Sequence, residues 1–327
     1  MQIQTTRAQA QPGAARVPTH GSERQHSNGL RKRLRDNRMF YLCIAPFFIL
    51  FALFGAIPIA ASFYLGFTRW DGLSQPIFVG FSNYLHLFQD PDFLKIMGNT
   101  FYIWLGSTIL TMGLAFTLAF LINHYVLKGR SILQVIFLFP LLIAPSLTAI
   151  IVSALFSTNA GLLNAVISAL IGHKFAYDWF ASGAWLKPVL ILIIVWRWTG
   201  WHLTLFISGL QSISNEIYEA ARVDGATGSS IFRHITLPLM IPVILVSVVS
   251  ATIGGIQLFD EPYVLTTTTG TGNIGGTSQL GMTLGLYQYQ TAFQQFNFGL
   301  ASAISYVIFI LIIVFTIIQF RVLRNRN

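Results

Sequence analysis

Cysteine is nearly missing from this chain: Cys43 is the one thiol among 327 residues. It lies in an apolar run, so no internal disulfide framework or thiolate metal site can form. Charge is scarce as well. Asp, Glu, Lys and Arg make up 9% of the sequence, against about 25% in soluble domains. None of the 11 carboxylates falls in the middle of an apolar run, which removes the buried acids that an ion-coupled transporter uses. Lysine stops at Lys187, and the Gly-rich loop with Lys-Ser/Thr that cradles nucleotide phosphates is absent throughout. Neither a His-Glu-x-x-His helix nor a Gly-x-Ser-x-Gly elbow occurs. These gaps leave no catalytic set, no metal set and no cofactor motif.

Present instead is apolar length. Hydrophobic residues make up 54% of the chain, gathered into runs near or above the twenty residues a helix needs to cross hydrocarbon. Six spans are expected: Phe40 to Phe67, Thr100 to Ile122, Ile132 to Phe156, Pro188 to Leu210, Leu239 to Phe259 and Phe298 to Phe320. The chain thus reads as an all-α polytopic membrane protein. Residues 1–38 form a polar, basic tail expected to be disordered, and 39–327 form the six-helix domain. Arg31, Lys32, Arg33, Arg35 and Arg38 crowd the entry to the first span. They read as an orientation signal beside anionic lipid rather than a nucleic-acid arm. With both termini inside, fifteen of the 20 Lys and Arg residues lie on the cytoplasmic side and four outside. The positive-inside rule therefore places both termini in the cytoplasm.

Between the fourth and fifth spans lies an unusual polar insert, residues 211–238. Glu219-Ala220-Ala221-Arg222-Val223-Asp224-Gly225 has helix formers followed by a stop signal. Asn215 is placed to cap its first turn, and Glu219 to meet Arg222 on one face. A second short helix is expected over Ser229 to Ile235. Pro238 and Pro242 mark re-entry into the membrane.

The spacing of Glu219, Ala220, Ala221 and Gly225 to Ile235, Leu237 and Pro238 resembles the cytoplasmic loop of permease subunits of binding-protein-dependent ABC importers. Gln211-Ser212-Ile213, Tyr218 and Asp224-Gly225-Ala226 are similar to its maltose/lactose-type sugar-permease branch. The resemblance covers about residues 40 to 320. It departs where a Gly-Gly-Pro turn is usual and this chain has a Thr-Gly run with Gly275-Gly276-Thr277. It implies the type I importer permease fold, with a coupling helix in the 211–238 loop. Glu219, Ala220, Ala221, Asp224, Gly225, Ile235, Leu237 and Pro238 would then face the ATPase. Implied partners are a second homologous permease subunit, two ATP-binding cassette subunits, an extracytoplasmic solute-binding protein and a carbohydrate, in a bacterial inner membrane. The implied activity is ATP-driven carbohydrate import. An ion-coupled secondary transporter, or an ABC permease for glycerol phosphate or a sugar acid, is the alternative.

Arg197 is the costliest residue, because an arginine inside a span must face the bundle interior or water. With Trp196, Trp201 and Gln257 it is a candidate for the substrate path. The competing reading pairs Arg197 with a carbonyl or a partner subunit while the tryptophans pack. Asp260 is a weaker candidate. Outside, Asp90 is expected to cap a helix, an apolar run ending at Ile171 to lie at the interface, and 261–297 to form a turn-rich loop.

Overall fold

The computed structural model describes residues 37–125, 129–159, 161–180, 183–268 and 274–324. The basic tail over 1–36, Lys128, the Thr-Gly run at 269–273 and Arg326 lie outside the described residues. The chain divides into two compact units, one ending at Ile59 and one spanning Ala60–Asn327.

Helix α1 (Arg38–Leu65) holds the described residues of the first unit from Arg38 onward, and its last residues, from Ala60, belong to the second. Its apolar sequence widens into a π turn over Ala52–Ala56, two residues before Pro58. Proline has no amide to donate and its ring crowds the carbonyl four residues back, strain that a wider turn relieves. In the second unit, β1 (Thr68–Arg69) and β2 (Ile77–Phe78) pair antiparallel, Thr68 opposite Phe78. Helix α2 (Ser82–Gln89) is fastened to that ribbon by Asn83, whose Nδ2 donates to the carbonyls of Gly66 and Thr68 at 2.9 Å each. Asp90 then accepts from the Asp92 amide at 2.9 Å, so it caps the long α3 (Pro91–Tyr125).

Three apolar clusters share α3. Phe93, Ile96 and Trp104 serve the first, Ile103 the second, and Ala115, Ala119 and Ile122 the third. The buried row Ser107, Thr111, Ala115, Ala119 repeats every four residues. Small side chains at that spacing make a groove into which another helix can settle. Helix α7 (Leu186–Ser212) packs along α3, and Leu203, Phe206, Ile207 and Leu210 complete the third cluster.

The third expected span is not one helix. Helix α4 (Arg130–Leu142) and α5 (Pro145–Phe156) meet at an angle of 91°. Pro145 forces the residue before it out of the helical region, and Ala144 has φ −57° and ψ 140°. Among the described residues, five helices are long and apolar enough to cross a bilayer, or six when this bent pair counts as one span. Against α4, α7 comes to backbone distance at Gly200, where a Cβ would overlap the Phe137 carbonyl. Helix α6 (Leu162–Ile171) is the short apolar helix expected beside the membrane. Buried Asn164 anchors it, donating to the carbonyls of Thr158 and Tyr177 and accepting from Trp179 Nε1.

Beyond α8 (Asn215–Val223), the chain enters α9 (Gly228–Ile231), a π turn (Phe232–Thr236) and α10 (Leu237–Ile256). This second π turn again ends two residues before a proline, Pro238. The expected loop over 261–297 is largely helical: α11 (Asp260–Thr268) and α12 (Leu284–Phe293) occupy it, with a 3-10 turn over Thr277–Gln279. Hydroxyls rather than apolar periodicity set the start of α12. Thr283 Oγ1 accepts from the Leu286 amide and donates to the Leu258 carbonyl at 2.6 Å, while Thr100 Oγ1 accepts from the Leu284 amide. Helix α13 (Phe298–Arg324) closes the bundle.

Candidate functional site

Arg197 lies midway along α7 and is 6% exposed. Its Nη1 donates to Glu261 Oε1 at 2.5 Å, and its Nη2 to the Ile143 carbonyl at 3.2 Å. That carbonyl is at the break between α4 and α5, where no helical amide can reach it. Glu261 stands in the first turn of α11, next to Asp260. One guanidinium therefore joins three elements, and the ion pair is buried on both sides.

Beside it opens a cavity of about 350 Å³. Helix α3 contributes Ser107 and Thr111, and α7 contributes Arg197, Trp198, Trp201 and His202. The small residues Gly254 and Gly255, near the end of α10, line it too, followed by Gln257, Asp260 and Glu261. His202 is fixed by Ser247, whose Oγ is 2.6 Å from Nδ1. Of the path candidates, Arg197, Trp201 and Gln257 come together on this cavity, as does the weaker candidate Asp260. Trp196 does not line it and is 43% exposed.

Sequence reasoning passed over Trp198, His202 and Glu261. Trp198 is three residues before Trp201, a spacing that puts two rings on one helix face. Glu261 had one usable signal: an arginine that costly within a span requires a counter-charge. Among the described residues, no group of three His, Cys, Asp or Glu side chains could hold a metal ion.

The second cluster is the polar insert. Ser214, with extended backbone, is the N-cap of α8, so the cap falls one residue before Asn215, and no side-chain cap bond forms. The C-terminal end follows the glycine rule. Gly225 has φ +78°, its amide donates to the Arg222 carbonyl, and the Ala226 amide donates to that of Ala221. These two bonds make a Schellman closure. Ala221 is buried, whereas Glu219, Ala220, Asp224 and Gly225 are exposed. Glu219 and Arg222 form no ion pair, and both point their charge into open surroundings. Val223 is 88% and Ile217 41% exposed, so the knob presents apolar side chains among acidic ones. The Tyr218 hydroxyl, 3.3 Å from Thr236 Oγ1, ties it to the membrane helix. Ile235, Leu237 and Pro238 flank Thr236 at that entry, where Phe232 packs edge-on against Phe116 and Phe120 of α3.

The model for "binding-protein-dependent transport system inner membrane component" matches residues 112–326. The chain belongs to that family. Among curated permeases, the lactose transport system permease protein LacF of Rhizobium radiobacter is 31% identical over 289 residues, 88% of this chain and 94% of that one. The arabinooligosaccharides transport system permease protein AraP of Bacillus subtilis is 32% identical, over 86% of this chain and 87% of that one. The permease fold is shared with a bacterial ABC transporter that imports the acidic polysaccharide alginate. The TM-score is 0.76 at 24% identity, covering 91% of this chain and 99% of that one.

Proposed function

We propose that this permease subunit carries a carbohydrate across the bacterial inner membrane, driven by ATP hydrolysed on separate cytoplasmic subunits. The observation that carries the reading is the cavity, where the aromatic rings of Trp198 and Trp201 stand beside hydroxyl, amide and charged groups. Flat apolar rings suit the C–H faces of a sugar. Ser107, Thr111, Gln257 and Asp260 offer the donors and acceptors that its hydroxyls need.

The exposed face of α8 is where an ATPase subunit docks. Its acidic and apolar side chains make the contact, and Tyr218 passes the push to Thr236 and so to α10. A homologous permease chain completes the path, and a solute-binding protein delivers sugar from outside. Both termini and α8 then lie in the cytoplasm, a reading that the distribution of Lys and Arg supports. Each ligand drives the cycle only by binding one state better than the other. The loaded binding protein and ATP favour the outward-facing state, and hydrolysis releases it.

Uptake by the reconstituted complex in proteoliposomes tests this. Sugar accumulation should require ATP, the ATPase subunits and the binding protein together. Uphill accumulation by the purified chain alone would overturn the reading.

A further inference from the structure

The cavity contains an anion-binding group that is already occupied by the protein itself. Arg197 is the one cation among the lining residues; Glu261, its ion-pair partner, and Asp260 line the same cavity from the start of α11. A guanidinium has five donors in a planar fork suited to a carboxylate or phosphate. Left bare in a walled cavity, it would draw an acidic sugar strongly, since such walls focus the field of a single charge. Here one carboxylate oxygen of Glu261 takes that place at 2.5 Å.

In formal charge, one guanidinium against two carboxylates leaves the lining with one net negative charge. An incoming uronate or sugar phosphate must either displace Glu261 or enter against that charge, and both are costly. An uncharged sugar meets neither penalty. It needs only ring faces and hydrogen-bonding partners, which Trp198, Trp201 and the neighbouring polar groups provide.

A structural duty alone does not account for the arrangement. Closing the Ile143 carbonyl takes one neutral donor, and Arg197 spends a single Nη2 contact on it. The ion pair, moreover, is on the cavity wall rather than sealed within the packing clusters. We infer that Glu261 is a specificity-determining residue: by occupying Arg197 inside the cavity, it makes this permease accept uncharged sugars and reject anionic ones.

This inference rests on the carbohydrate reading of the same cavity, and the experiment separates the two. The assembled transporter in nanodiscs, without binding protein, is titrated with maltose, lactose, trehalose and melibiose, and with digalacturonate. Binding is read from quenching of tryptophan fluorescence. In the wild type, at least one neutral disaccharide should bind, and digalacturonate about tenfold or more weaker. Glu261→Gln removes the charge that balances the guanidinium and should raise the digalacturonate-to-neutral affinity ratio about tenfold or more. Adding Arg197→Gln should erase that gain. Asp260→Asn, which leaves the ion pair intact, should move the ratio in the same direction by a smaller factor and decides the matter if Glu261→Gln fails to assemble. Equal wild-type affinity for digalacturonate and the neutral sugars, or an unmoved ratio in the assembled variants, would sink the charge filter alone. If no sugar binds any variant, the carbohydrate reading fails and takes this inference with it.

Discussion

The hydroxyls of Tyr218 and Thr236 lie 3.3 Å apart and join the exposed helix α8 to the buried entry of the next membrane helix. They are 18 positions apart in the chain, so the bond spans most of the polar insert. Tyr218→Phe removes one hydrogen bond, a loss of about 1 kcal/mol. The expected result is a looser linkage rather than a misfolded chain. ATP hydrolysed per sugar imported should rise severalfold, with membrane levels unchanged. An unchanged ratio would place the transmission elsewhere.

Gly225 supplies the left-handed residue that closes α8, and nothing lies within 4 Å of where a Cβ would be. The cost of a side chain there is therefore conformational, about 1–2 kcal/mol for most residues. Asn tolerates this region better than β-branched residues do. Gly225→Val should abolish uptake while leaving the protein inserted, and Gly225→Asn should retain a measurable fraction. Glu219→Lys reverses charge on the same exposed face and should abolish uptake with α8 intact. Radiolabelled sugar uptake beside an immunoblot of membranes separates these outcomes.

Arg197→Met leaves Glu261 buried without a partner, a defect of about 3–5 kcal/mol when a buried pair is broken. Replacing both, as Arg197→Met with Glu261→Met, should recover most of that loss. Thermal unfolding of the purified complex reads the difference, with the single variant well below both the double variant and the wild type. Equal midpoints for all three would show that the pair carries no structural weight.

At Gly200, α7 touches the backbone of α4, and an added Cβ would overlap the Phe137 carbonyl. Gly200→Ala must push the helices apart, at a cost of about 1–3 kcal/mol for overpacking. Lower yield of folded protein is expected even though alanine favours helix. Gly113→Ala, where nothing lies within 4 Å of the added Cβ, is the matched control in α3.

The sequence was a good guide wherever one physical signal dominated. Run length located the spans, and the glycine after α8 foretold its left-handed closure. The bend at Ile143–Ala144 was harder to see. Pro140 and Pro145 both lie in the expected third span, and one is absorbed within α4 while the other starts α5. Proline alone does not say which will happen, because the outcome depends on who satisfies the freed carbonyl. Here it is Arg197, 54 residues away. Glu261 was hidden for a similar reason: it falls just past the run expected to span and meets its partner across 64 residues. Helix α12 escaped notice because its Tyr-Gln-Tyr-Gln-Thr stretch has no clear apolar stripe. Its start depends on the Thr283 cap, and its Leu284 amide bonds to Thr100 far back in the chain.

The guanidinium that completes the broken third span has a consequence for biogenesis. Exposed peptide groups are not tolerated in lipid, yet the Ile143 carbonyl must wait for a donor on a segment synthesised later. That donor in turn waits for a carboxylate synthesised later still. Helical hairpins cannot therefore be finished one by one as they leave the ribosome. The break at Ile143 is sealed only when residue 261 has arrived, so a nascent chain stalled before that point should be cut there by membrane proteases more readily than one stalled after it.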